Sequence, residues 1–219
     1  MLATLLFGTH PSATECTTSL EEPLICGALA SSDAVFLAGV EDVRGVPGTL
    51  GTDVTFRIVE AFKGVKVGMQ TLQMRAAIGS HAFQRGQKVL VYASMYDGGW
   101  TTVCSRTRAA DDVGGELETL RALVKGKPGG LVDGHVVTED GANNHPGLRV
   151  TLRSGSGQQV VQAVATTGAG HFKFDWVSPG SYTVVVEGGS AFRDERRSLV
   201  VRRRGTCLTV STIVLRRRT

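Results

Sequence analysis

No stretch of the chain approaches the roughly eighteen apolar residues that a membrane-crossing helix needs, which excludes a helical span. None of the 4 cysteines falls in a C-x-x-C pair, which weakens both zinc-ribbon and thioredoxin-like readings and leaves disulfides as the better use of them. Disulfides place a protein outside the cytosol. Aromatic residues are scarce at 6%, and none is interleaved with basic residues as stacking platforms for nucleic acid would be. The formal net charge of +4 comes from the C-terminal end, from Arg193, Arg196, Arg197, Arg202 to Arg204 and Arg216 to Arg218, which read as solvated strand edges and tail. A nucleic-acid partner is not expected.

What is abundant is glycine, 28 of 219 residues, set among short alternating apolar runs. The length suits two modest domains better than one large one. Residues 33 to 105 hold DAVFLAGVEDV, then TDVTFRIVEAFKG with Val54, Phe56 and Ile58 alternating, then VKVGMQTLQMRAA and KVLVYASMYDGGWTTVCSR, split at Asp97-Gly98-Gly99. Period-two alternation with β-branched and aromatic residues predicts five strands in meander order, enough for a small closed barrel. Next, Leu117, Leu120, Leu123 and Val124 recur at helical spacing after Asp111 and Asp112, and Gly126 ends the pattern. The run KGKPGG has the composition of a linker, so the boundary is set at residues 127–130. Beyond it, about seven short strands with regular turn signals predict a sandwich over residues 131–219. At the start, Leu2 to Phe7 is apolar and Ser12 and Ala13 are small, which reads as the tail of a signal peptide over residues 1–13.

The C-terminal pieces G-x-V (Gly134, Val136), Asp140-Gly141, P-G-x-x-V-x-L (Pro146, Gly147, Val150, Leu152), T-x-x-G-x-F-x-F (Thr167, Gly170, Phe172, Phe174) and V-x-P-G-x-Y-x-V (Val177, Pro179, Gly180, Tyr182, Val184) occur in order. Together they resemble the carboxypeptidase regulatory-like domain, a transthyretin-like antiparallel sandwich similar also to collagen-adhesin B-type repeats. The resemblance implies a seven-stranded module that spaces or binds and has no catalytic residues of its own. Phe172, Phe174 and Tyr182 are expected to point inward, with Trp176 following the same alternation. His135, His145 and His171 lie on separate strands or loops without supporting carboxylates, so no metal is expected. Lys173 and Asp175 flank Phe174 and should point outward together.

In the N-terminal half, Cys16, Cys26 ten residues on, and the segments ALASSDAVFLAGV, VTFRIVEAFKG, FQRGQKVLVYA and GGWTTVCSRTR resemble the netrin or tissue-inhibitor-of-metalloproteinases OB-fold over residues 14–126. Bacterial proteins similar to these often continue into a regulatory-like sandwich. The expected architecture is therefore all-β with one or two short helices: a five-stranded OB-fold barrel followed by the sandwich. That family anchors an N-terminal C-x-C to the barrel. Carried over, Cys16 matches the second cysteine of the pair and Cys104 its partner. The first cysteine falls at Thr14, and its partner falls near Ile78 to His81, where this sequence has none. Cys26 is then left to Cys207, an interdomain bridge. The alternatives are Cys26 with Cys104, or Cys26 and Cys207 as buried thiols.

The expected function is non-enzymatic: an extracellular protein-binding or scaffold protein, secreted, periplasmic or at the cell surface, with no cofactor. A second reading is inhibition of an extracellular metalloprotease through a mature N-terminus at Thr14, Glu15 and Cys16, whose backbone groups would chelate the catalytic zinc as the family's first cysteine does. A third is adhesion to a carbohydrate or cell-surface polymer, with Trp100 and Trp176 as stacking candidates. Ser105 beside Cys104, Ser80 beside His81, and Asp111-Asp112 are the polar clusters worth testing for catalysis. None has the logic of a triad or a carboxylate pair, and no catalytic residue is expected.

Overall fold

The computed structural model describes residues 24–45, 51–75, 80–103, 105–139, 146–203 and 205–218. A short helix α1 (Ile25–Ser31) precedes strands β1 (Ala34–Gly45), β2 (Gly51–Lys63), β3 (Gly68–Arg75), β4 (Lys88–Tyr96), β5 (Gly99–Thr101) and β6 (Arg108–Ala109). β1 pairs with both β2 and β4, and β5 bridges β3 to β4, so the first five strands close on themselves. The sheet forms because alternation separates two faces. Phe36, Ala38, Val54, Phe56, Ile58, Val89 and Val91 point into the barrel and are at most 1% exposed. Val35, Leu37, Leu90 and Tyr92 point outward, yet they are equally buried. They are covered by α1 and by α2 (Gly114–Val124), so β1 and β4 read as continuous apolar runs.

Helix α2 ends in the bonds of a Schellman motif. Gly126 takes φ +66° and donates to Leu123 O (3.0 Å), and Lys127 N–H donates to Ala122 O (3.0 Å). Its buried stripe is Leu117, Leu120 and Leu123 together with Glu116, whereas Val124, expected on that face, is 58% exposed. The stripe is rotated because Glu116 is drawn inward: its carboxylate, 2% exposed, accepts hydrogen bonds from Tyr92 Oη (2.5 Å), Arg106 Nε (2.9 Å) and Arg108. Burial, and then the charge of Glu116, push the Tyr92 hydroxyl pKa upward. On the exposed side, Arg121 grips Glu60 of β2 with two bonds of 2.7 and 2.6 Å.

The second unit has strands β7 (Gly130–Thr138), β8 (Arg149–Ser154), β9 (Val160–Ala165), β10 (His171–Val177), β11 (Gly180–Val186), β12 (Glu195–Val201) and β13 (Cys207–Leu215). They form a sheet of order β10-β7-β13 facing one of order β12-β11-β8-β9. Val132, Val136, Val150, Leu152, Phe172, Phe174, Val184, Ile213 and Leu215 fill the space between. Seven strands and a sandwich match the sequence pattern, but the expectation of a wholly antiparallel module needs correction. β13 runs parallel to β7, with Cys207 beside Leu131 and Leu215 beside Thr138. After β12 the chain crosses from one sheet to the other and returns to the end nearest the barrel, so β13 leaves from the same place as β7.

A second correction concerns Trp176. Simple alternation would carry it inward after Phe172 and Phe174, but the β7–β10 register shifts between Phe174 and Val177, and Trp176 sits at φ +53°. This bulge gives the inward position to Val177, 1% exposed, and turns the indole toward the barrel. Lys173 and Asp175 do share the outer face, as an ion pair at 3.1 Å.

Candidate functional site at the junction of barrel and sandwich

Helix α1 has only seven residues, a glycine at its third position, and an apolar N-cap, Leu24, that offers no side-chain bond. By itself such a helix is marginal in water. It persists because each end is met by a side chain from a different unit. Asp133, on the outer face of β7, accepts a hydrogen bond from Cys26 N–H (2.9 Å) in the first turn. At the other end the Lys63 ammonium, from β2 of the barrel, donates to Leu29 O (2.9 Å) and Ala30 O (3.2 Å). An anion at the N-terminus and a cation at the C-terminus also complement the helix dipole.

Asp133 is 2% exposed and also accepts from Thr209 Oγ1 (2.7 Å) on β13. Burial pushes its carboxyl pKa up, against the opposing pull of the Cys26 N–H, the Thr209 hydroxyl and the charges of Arg106 and Lys173. Arg106, which holds Glu116 under α2, also lines the same cleft as Asp133. Between these groups lies a cleft of about 420 Å³ whose walls include Leu24, Ile25, Arg106, Asp133, His171 and Lys173.

Beside Asp133 the structure joins Cys26 to Cys207 by a disulfide, across 181 positions of sequence. Leu123, Leu131 and Trp176 pack around it, and the Lys127 ammonium lies 4.3 Å from the centre of the Trp176 ring. The connection between the units is not a free tether. Gly129 accepts from Gly205 N–H (2.8 Å), Leu131 N–H donates to Thr206 O (2.8 Å), and β7 starts at Gly130. At Gly129, φ is +94° and a Cβ would fall 2.4 Å from Trp176 O, so no other residue fits without displacing the bulge.

Cys26 and Cys207 are therefore brought together, while Thr14, Glu15, Cys16 and Cys104 lie outside the described residues, as does the signal-like segment 1–13. Ser80 and His81 line a cavity at the barrel mouth, far in sequence from the junction. Ser105 bonds Thr107 Oγ1 (2.9 Å), and Asp111 and Asp112 form an exposed 3-10 turn before α2. His135 and His171 are cross-strand neighbours with ring centres 5.0 Å apart, and His145 lies outside the described residues. Among the described residues no group of three or more His, Cys, Asp or Glu side chains is placed to hold a metal ion, and no helix is long and apolar enough to cross a membrane. Asp133 and α1 were not singled out by the sequence. An acid inside the apolar run LVDGHVV was the one signal that could have marked the first.

Residues 128–214 match the family model of the second β-sandwich domain of NOMO1-like BOS complex subunits, less than half of the chain. No curated protein sequence matches the chain. Among solved structures, the Bacillus anthracis TIE protein is similar at 13% identity and a TM-score of 0.36, over 85% of this chain and 31% of that one. The minor pilin GBS52 of Streptococcus agalactiae is similar at 11% identity and a TM-score of 0.34, over 86% of this chain and 84% of that one. The 5-hydroxyisourate hydrolase of Klebsiella pneumoniae is similar at 15% identity and a TM-score of 0.32, over 41% of this chain and 94% of that one. These scores are too low to carry a function across. What stands is the β-sandwich itself.

Proposed function

We propose that the chain is a non-enzymatic scaffold of an oxidising compartment, secreted, periplasmic or at the cell surface, in which the sandwich holds the barrel in a fixed pose for a protein partner. The Cys26–Cys207 bridge, closed over a helix whose two ends are answered by the two units, carries this reading. A flexible pair of beads needs neither the bridge nor the packed connection. The sandwich model that matches residues 128–214 is named for a subunit of a complex, in keeping with a role in holding parts together. The barrel's resemblance to the netrin and tissue-inhibitor OB-fold, and the sandwich's to the regulatory-like domain, belong to the same reading. Adhesion through Trp176 is disfavoured, because Lys127 covers its ring. Inhibition of a metalloprotease would need residues 14–16, and nothing on the described residues favours it.

Backbone nitrogen relaxation of the purified, oxidised chain tests the scaffold. Amides of barrel and sandwich should report one common tumbling time, which should split into two on reduction. Two tumbling times in the oxidised protein would sink the idea.

A further inference from the structure

The mouth of the barrel holds a cavity of about 370 Å³, within the size range of small-molecule sites. Val43, Val54, Met74 and Phe83 supply its apolar walls. Ser80, His81 and Thr102 supply polar ones. Thr102 Oγ1 accepts from His81 N–H (3.0 Å), which fixes the Ser80–His81 backbone against the wall.

Two polar atoms here, Ser80 Oγ and His81 Nε2, are shut off from solvent and have no hydrogen-bond partner among the described residues. They do not bond each other, so they form no nucleophile–base pair. Buried polar atoms in folded proteins nearly always have partners, and an orphan calls for a specific cause. A hydroxyl suits either atom, since it can donate to an imidazole nitrogen and accept from a serine hydroxyl.

The rest of the ligand is defined by the walls. Phe36, Phe56, Phe83 and His81 form a ladder of edge-to-face rings, with centre separations of 5.3, 5.2 and 5.0 Å, and the ladder ends at the cavity. A further ring extends that series with the same preferred geometry, and the thioether of Met74 is a favourable neighbour for it. Arg75, which also lines the cavity, is already engaged: it pairs with Asp97 at 3.1 Å and also bonds its carbonyl. The site therefore suits a neutral group.

We propose that the barrel mouth is a binding site for a phenolic hydroxyl, with Ser80 and His81 as its polar contacts and Phe83 and Met74 as ring contacts. The phenol comes either as a small molecule or as a tyrosyl side chain of a partner. This goes beyond the scaffold reading and does not depend on it, since it concerns the barrel alone.

Titration of the full oxidised chain with p-cresol, toluene and N-acetyl-tyrosinamide, followed by the Met74 methyl and Phe83 ring resonances, tests the site. p-Cresol should bind with a Kd of about 1 mM or tighter. Toluene should bind about fivefold to tenfold more weakly, having no hydroxyl. Binding of p-cresol alone identifies a small phenol; binding of N-acetyl-tyrosinamide as well identifies a tyrosyl side chain. In the Ser80→Ala, His81→Phe double variant the preference for p-cresol over toluene should vanish. No binding of p-cresol, equal affinity for toluene in the native chain, or an unchanged preference in the folded double variant would each overturn the proposal.

Discussion

The junction and the barrel mouth both take polar groups out of water, and they treat them in opposite ways. At the junction Asp133 and Glu116 are almost fully buried, and each accepts two or more hydrogen bonds. At the mouth Ser80 Oγ and His81 Nε2 are buried with none among the described residues. Nothing needs to be added to the junction for it to be satisfied. At the mouth no described residue satisfies either atom, and the phenolic hydroxyl proposed above would. The difference separates a joint from a site, although both adjoin cavities of similar size.

The largest effect is expected at the disulfide. Replacing Cys26 and Cys207 together by Ser should cost about 5 kcal/mol on the chain-entropy model, because the closed loop is so long. Urea unfolding should then show the barrel and the sandwich melting separately. A single unchanged transition would mean that the bridge does not hold the joint.

Next in size is Asp133→Ala, which leaves Cys26 N–H and Thr209 Oγ1 without their acceptor, at about 1–3 kcal/mol. The pH dependence of the same residue has a defined sign. Its folded carboxyl pKa lies above the unfolded value of about 3.9, so between the two values the folded chain keeps a proton that the unfolded chain has released. The stability contributed by that proton is fully present below the unfolded value and is lost as pH rises through the folded one. Urea midpoints of the native chain relative to Asp133→Asn should therefore fall from about pH 4 toward neutrality. A rising difference would mean that the Cys26 and Thr209 bonds outweigh burial.

The smallest effect sharpens the contrast most. Ser80→Ala removes a buried hydroxyl that bonds no described residue, so stability should be unchanged or rise, by about 1 kcal/mol at most. A loss comparable to that of Asp133→Ala would make the mouth a joint like the other.

The strands of both units were legible in the sequence because each buries one face, or both, against a neighbour, as in Val54, Phe56 and Ile58 or Phe172 and Phe174. The body of α2 was legible from Leu117, Leu120 and Leu123, but its rotation was not, because the pull on Glu116 comes from Tyr92, Arg106 and Arg108, distant in sequence. Helix α1 is too short to show a period, and its stability lies in Asp133 and Lys63 rather than in its own residues. The turn of Trp176 depends on a one-residue slip that no alternation can announce. The candidate sites were the least legible part. A pair of unbonded atoms is a property of the assembled walls, and Ser80-His81 on paper is only a loop.

The parallel placement of β13 against β7 has a consequence for how the protein is made. A chain that leaves a membrane pore amino end first presents Cys26 while Cys207, 181 positions further on, has still to arrive. Throughout that interval an oxidising enzyme finds Cys26 together with Cys16 and Cys104, and any bond it makes between Cys26 and either of them must later be undone. In the oxidising compartment proposed above, maturation is thus expected to depend on a thiol isomerase as well as an oxidase, and the mature bridge marks a chain whose final sheet has closed.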